Sequence, residues 1–176
     1  MITDKLTSLA TPSASVASGF SAGSFKWLDK TIDLGSVDPG DIGQAGRPAF
    51  LQVTAQTTVT AEGAGTLKLL LASDDTERAA GATASGGGTP SATYMIHAET
   101  QPMVTNVTAT TSLKAGTVMW TIPLPVETDL TKYRRYLGLV CHTVDNAIDG
   151  GTISAKVTFG TPEHHAYPSG EPARAT

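Results

Sequence analysis

The chain has 176 residues, 40% of them hydrophobic and only 16% charged, with a net charge of −4. That length holds one domain with a real core and is short for two. A mildly acidic chain lacks the basic footprint of a nucleic-acid binder, a lone cysteine excludes an internal disulfide, and no run of ~18 apolar residues offers a membrane span.

Abundant Thr, Ala, Gly and Pro with so little charge point to strands joined by turns, where a helical bundle would carry more Glu, Lys, Leu and Arg. In chain order, the first segment, MITDKLTSLATPSASVASGF, sets an Asp beside its Lys and has no apolar core, so no secretory signal is expected. The expectation is a protein made and kept in a cytoplasm, or in something assembled there. Residues 1–30 read as an extended N-terminal arm. Phe20, Phe25 and Trp27 bring aromatics into a region with few neighbours to bury them, and are candidate partner contacts.

A short strand is expected over Thr31 to Gly35, followed by the turn-rich SVDPGDIGQAGRP. From about Pro48 to Ala61 the chain alternates strictly, with Leu51, Val53, Ala55, Thr57 and Val59 on one face and Gln52, Thr54, Gln56, Thr58 and Thr60 on the other. After Glu62-Gly63-Ala64-Gly65, the run Thr66 to Ser73 turns Leu67, Leu69 and Leu71 inward around Lys68. Two such runs across a short Gly-containing loop predict a hairpin.

Residues 74–92, with Gly86-Gly87-Gly88, predict a loop. Strands are expected over Thr93 to Ala98, Met103 to Leu113 and Thr117 to Leu124, the last with Val118, Trp120 and Ile122 on one face. Pro123 and Pro125 end it, because proline cannot donate to a ladder. The segment Lys132 to Gly160 holds a closing pair of strands around a turn-rich loop ending Asp149-Gly150-Gly151. In its second strand Ile153, Ala155, Val157 and Phe159 share the core face, and Ser154, Lys156 and Thr158 the other. Residues 161–176 form a C-terminal tail whose His164, His165 and Tyr167 are further contact candidates. The pattern predicts an all-β, jelly-roll β-sandwich of roughly eight antiparallel strands over residues 31–160.

Chemistry-bearing clusters do not emerge. There is no His-x-His of a metal-binding cupin, no Gly-x-Ser-x-Gly, and no Lys-Ser/Thr after the glycine triplet. His164 and His165 are adjacent, so on an extended chain they point apart. His142 reads as a hydrogen-bonded strand histidine and Cys141 as a small buried hydrophobe. Asp74, Asp75 and Glu77 lack calcium-loop spacing and read as solvated turn residues. No catalytic, metal or cofactor site is expected, and the chain is read as a non-enzyme.

MITDK at the start, the IDLG strand, LKLLLASDD, and the later succession AGTVMWTIPLP, YRRYLGLVCHTV and GGTISAKVTF together resemble the capsid cement (decoration) proteins of tailed bacteriophages, in particular the Bordetella podophage cement-protein family. The resemblance runs from Met1 to about Phe159 and lies in the order and spacing of strands. It implies a jelly roll on the outer capsid surface, a dimer that clamps neighbouring major capsid proteins, with no nucleic-acid or membrane partner. It carries no catalytic motif to transfer. The alternative from a different class is a carbohydrate-binding jelly roll displayed on a phage or cell surface.

Overall fold

The computed structural model describes residues 8–16, 22–35, 49–61, 65–84, 94–105, 113–125 and 132–159. Within them the chain forms strands and turns and no helix: β1 (Ser8–Ser15), β2 (Phe25–Trp27), β3 (Ile32–Asp33), β4 (Ala49–Ala55), β5 (Thr60–Ala61), β6 (Gly65–Asp74), β7 (Tyr94–Glu99), β8 (Met103–Thr105), β9 (Val118–Pro123), β10 (Tyr136–Val144), β11 (Ile148–Gly150) and β12 (Thr152–Phe159). All pairings are antiparallel. One sheet runs β1-β12-β4-β9 and a second runs β2-β10-β6-β7, with β3 also on β10 and β8 also on β6.

The inward faces of the two sheets meet in one core. Leu51, Val53 and Ala55 of β4 and Ile153 and Ala155 of β12 come from the first sheet. Leu67, Leu69 and Leu71 of β6 and Leu137, Leu139 and Cys141 of β10 come from the second. The alternation of β4 is read out directly, with Ala49, Leu51, Val53 and Ala55 buried and Phe50, Gln52 and Thr54 half-buried on the other side. Each fully buried leucine contributes about 1.5–3 kcal/mol relative to exposure.

The strands β6 and β10 are central and covered on both faces. Their outward side holds a second apolar cluster of Phe25, Trp27, Leu70, Ala72, Ala84, Tyr94 and Val140. Residues 81–84 run along the free side of β2: Trp27 N–H donates to Ala82 O, Gly81 N–H to Trp27 O and Ala84 N–H to Phe25 O, at 2.8–2.9 Å. This explains why LKLLLAS and LGLVC read as nearly continuous apolar runs.

The fold departs from sequence expectation in four places. First, β4 and β6 are no hairpin: β4 pairs with β12 and β9, whereas β6 pairs with β10, β7 and β8. The chain crosses between sheets after Ala55, through β5. It crosses again between β10 and β12, through β11, so the closing pair of strands also lies in two different sheets. The two crossings pair with each other, Ile148 opposite Ala61 and Gly150 opposite Thr60. Gly151 enters this junction at φ +122°, where a Cβ would stand 2.8 Å from Val59 Cα, which fits the glycine pair of the sequence.

Second, residues 8–16 and 25–30 are built into the sheets and are no free arm. Leu9, Ala10, Ala14 and Val16 are core residues, and β1 pairs along β12. The register is irregular between Ala10 and Ala14, around Pro12, which has no N–H to offer. Third, the strand expected over about Pro48 to Ala61 breaks after Ala55, where Gln56 and Thr57 turn out and are exposed. Fourth, Val118, Trp120 and Ile122 do not share a face. A bulge at Met119 sets Val118 opposite Thr54 but Trp120 opposite Val53, so Val118 faces outward while Trp120 and Ile122 pack on the core.

Candidate functional site

Of the residues singled out as partner contacts, Phe20, His164, His165 and Tyr167 lie outside the described residues. Phe25 and Trp27 are placed, and both are interior. Trp27 is 0% exposed; its indole lies over Gly138 and meets the Tyr94 ring edge-on, with centroids 6.0 Å apart at 72°. Phe25 is buried and stacks on His142 at 3.7 Å and 12°. These aromatics fasten β2 to the outer side of β10 and offer no surface to a partner while the fold is intact. Sequence reasoning missed this because the residues that bury them, Leu70, Ala72 and Val140, sit on the opposite side of strands whose leucines line the main core.

Cys141 points into that core and is fully buried, which pushes its thiol well above the usual range. His142, its neighbour, points the other way. Burial against Phe25 and the nearby Lys68 hold its pKa below the usual imidazole value.

The acidic group at the end of β6 is divided among three cations. Asp74 is buried; its carboxylate accepts from Arg78 Nε at 2.9 Å and from Thr76 N–H at 3.0 Å. Asp75 pairs with Arg134 Nη1 at 3.2 Å and Glu77 with Lys30 Nζ at 2.6 Å. Among the described residues no group of three or more His, Cys, Asp or Glu is placed to hold a metal ion. Near it, Arg135 grips Asp33 bidentately at 3.0 and 2.9 Å. That bond and the Gly35 N–H hold Asp33 below the usual carboxylate range.

One polar cluster has chemistry that the spacing did not disclose. Ser73, next to last in β6, has its Oγ 2.7 Å from His97 Nε2. A serine–histidine contact invites a nucleophile, but Ser73 is 0% exposed. Its Oγ also accepts the Arg134 N–H at 2.9 Å, and the histidine ring stacks on Tyr133 at 4.0 Å and 26°. A substrate carbonyl has no approach, so the pair serves to join strands. His97 reaches Ser73 because β7 bulges there: Ala72 faces Ile96 while Leu71 faces Ala98, leaving His97 as the extra residue. A bulge has no sequence mark here, so nothing in the linear order of residues could have paired position 73 with position 97.

The outward face of the first sheet has a different character. Residues directly opposite one another across antiparallel strands point to the same side. Three rows therefore cross β12, β4 and β9: Thr158–Phe50–Pro123, Lys156–Gln52–Thr121 and Ser154–Thr54–Val118. Lys156 is the one charged residue in these rows, and Val118 is half exposed. At the end of the face Gln56 Nε2 donates to Ser154 Oγ at 2.7 Å. By contrast, the five ion pairs among the described residues all lie on strands of the second sheet and the segments flanking them. Among the described residues, the second sheet thus carries the ion pairs, and the outward face of the first is nearly uncharged and bears threonine and glutamine.

A cleft of ≈ 250 Å³ beside β1 is lined by Thr11, Ser13, Ser15, Leu28, Asp29 and Ala80 among others. Its one carboxylate is already engaged, Asp29 Oδ2 accepting from both Thr11 N–H and Thr11 Oγ1 and Oδ1 accepting from Lys30 N–H. Compared with known proteins, the chain matches no family model and no curated protein.

Proposed function

We propose that the chain is a structural virion protein, a capsid cement protein with a jelly-roll fold that binds the outside of a tailed-phage head and ties neighbouring major capsid proteins together. The observation that carries this is the strand order. Taking the eight principal strands, β1, β2, β4, β6, β7, β9, β10 and β12, in sequence as one to eight, the sheets run 1-8-3-6 and 2-7-4-5. Strands alternate between sheets except for the hairpin of the fourth and fifth, and this order supports reading the sandwich as a jelly roll of two nested Greek keys. A fold does not by itself define a function. The functional half of the proposal rests on the likeness to phage cement proteins in LKLLLASDD, AGTVMWTIPLP, YRRYLGLVCHTV and GGTISAKVTF.

The weakly charged face of β12, β4 and β9 supports the same assignment. A surface with one lysine among nine residues costs little to desolvate against a broad protein partner. Its hydroxyls and amides can exchange water for partner hydrogen bonds. Phe20, His164, His165 and Tyr167 remain contact candidates in this proposal, and a dimer is the proposed state. Modest contacts repeated over a symmetric shell add through effective concentration.

The test is sedimentation of the purified chain with expanded heads assembled from the major capsid protein of the phage that carries it. Co-sedimentation at a fixed ratio to capsid subunits is expected. A chain that stays in the supernatant at saturating concentration removes the proposal, and retention on immobilised glycans in its place would favour the carbohydrate-binding jelly roll.

A further inference from the structure

Three separate stretches of chain meet at the His97 ring. Ser73 is next to last in β6, His97 is the bulged residue of β7, and Tyr133 and Arg134 lie in the segment that leads into β10. The Tyr133 hydroxyl donates to Pro125 O at 2.8 Å, just beyond the end of β9. Residues 132–135 thus form a strap over the ends of β6 and β7, held at Tyr133 and Arg134 by a backbone-to-serine bond, a ring stack and a tyrosine hydroxyl, and further by the Arg134–Asp75 and Arg135–Asp33 pairs and the Leu34 N–H on Arg135 O.

Ser73 Oγ has one proton and two lone pairs, and Nε2 accepting that proton is the arrangement that leaves the Ser73 O–H satisfied. Arg134 N–H donates to Ser73 Oγ, and Ser73 O–H can then donate to His97 Nε2 only if that nitrogen is bare. His97 Nδ1 is buried and has no hydrogen-bond partner. A second proton on the ring turns Nε2 from acceptor to donor. It leaves the serine proton without its acceptor, and puts a cation where the nearby carboxylates among the described residues are already paired. The charged group facing the ring from the strap is Arg134, which opposes that cation. From β6 and the turn after it, Asp74 is turned to Arg78 and Asp75 to Arg134, and on β7 Glu99 is paired with Lys68. The ring is also partly desolvated. Burial first and Arg134 second hold its pKa down to about 4.

We propose that the Arg134–Ser73–His97 chain is an acid-released clasp on this strap, in which protonation of His97 breaks the chain and frees the Arg134 backbone N–H while the two sheets stay folded. The device is independent of what the molecule binds.

Amide exchange of the full chain, corrected for the intrinsic pH dependence, tests it. Protection of the Arg134 N–H should fall about tenfold or more between about pH 6 and about pH 4.5, while Val140 in the middle of β10 keeps its protection. The His97→Phe variant keeps a ring against Tyr133 but cannot take the proton, so its Arg134 protection should be flat with pH. Equal pH dependence in wild type and variant, or loss at Val140 in parallel with Arg134, overturns the proposal. Should the variant fail to fold, NMR titration of His97 in the native chain decides. A ring that titrates near its ordinary value, with no accompanying shift at Arg134 or Tyr133, overturns it too.

Discussion

Trp27 lies against Gly138 so closely that a Cβ on Gly138 would stand 3.0 Å from the indole Cε3 and 2.9 Å from Thr31 Cγ2. Gly138 faces Ala72 across the β10–β6 ladder. Two of the smallest side chains in the molecule thus make a shallow floor, and the largest lies on it. That floor lets β2, three residues long, hold its place beside β10.

Gly138→Ala should therefore destabilise the domain by about 1–3 kcal/mol through overpacking, and Trp27→Ala by about 3–5 kcal/mol through the cavity it leaves. Urea unfolding followed by circular dichroism measures both. A Gly138→Ala variant as stable as wild type would mean the indole can slide off its seat.

Removing residues 1–16 should cost the fold and not merely an appendage. Leu9, Ala10, Ala14 and Val16 leave the core with β1, and β12 loses its outer partner. The milder Leu9→Ala should cost about 2–5 kcal/mol. A truncated chain with native urea midpoint would show that β1 is dispensable.

Stability should depend on pH through His97. Its native pKa is held at about 4, below the usual 6.5, so the unfolded chain binds the extra proton first as pH falls. The contribution of the neutral ring is full above 6.5, is lost progressively as pH drops toward 4, and changes no further below both values. Because the ring is only partly buried, the loss is discounted for screening to about 1–2 kcal/mol. Unfolding midpoints across this range for wild type and His97→Phe should differ in slope. Equal slopes would remove His97 as the source.

Thr54→Arg with Thr121→Arg places two cations on the outward face of β4 and β9. Surface changes of this kind should move stability by no more than about 0.5 kcal/mol, yet under the proposed cement role they should weaken binding to phage heads markedly. Binding equal to wild type would move the contact surface elsewhere on the molecule.

Cys141 should ignore thiol reagents in the native chain and react promptly in denaturant, since it is fully buried and its thiol is pushed up by burial. Modification at the same rate in both conditions would contradict its placement.

The two-residue periodicity carried much of the local structure. Leu51, Val53 and Ala55, then Leu67, Leu69 and Leu71, then Ile153 and Ala155 all face the core as their alternation requires. The same signal misled at Val118, where the bulge at Met119 shifts the period by one residue. It was also silent on Trp27 and Phe25, whose neighbours come from three other strands.

By itself, then, the sequence determined that the chain is built of antiparallel strands with one face turned to a core, because apolar alternation is a local property of each segment. Only the tertiary structure decided which strand lies beside which: that β4 and β6 part to opposite sheets, that β1 closes the edge of β12, and that Ser73 meets His97. The physical reason is that a strand packed from above and a strand packed from below the same core bury the same alternate residues. Their patterns are identical until long-range pairing assigns each to its sheet.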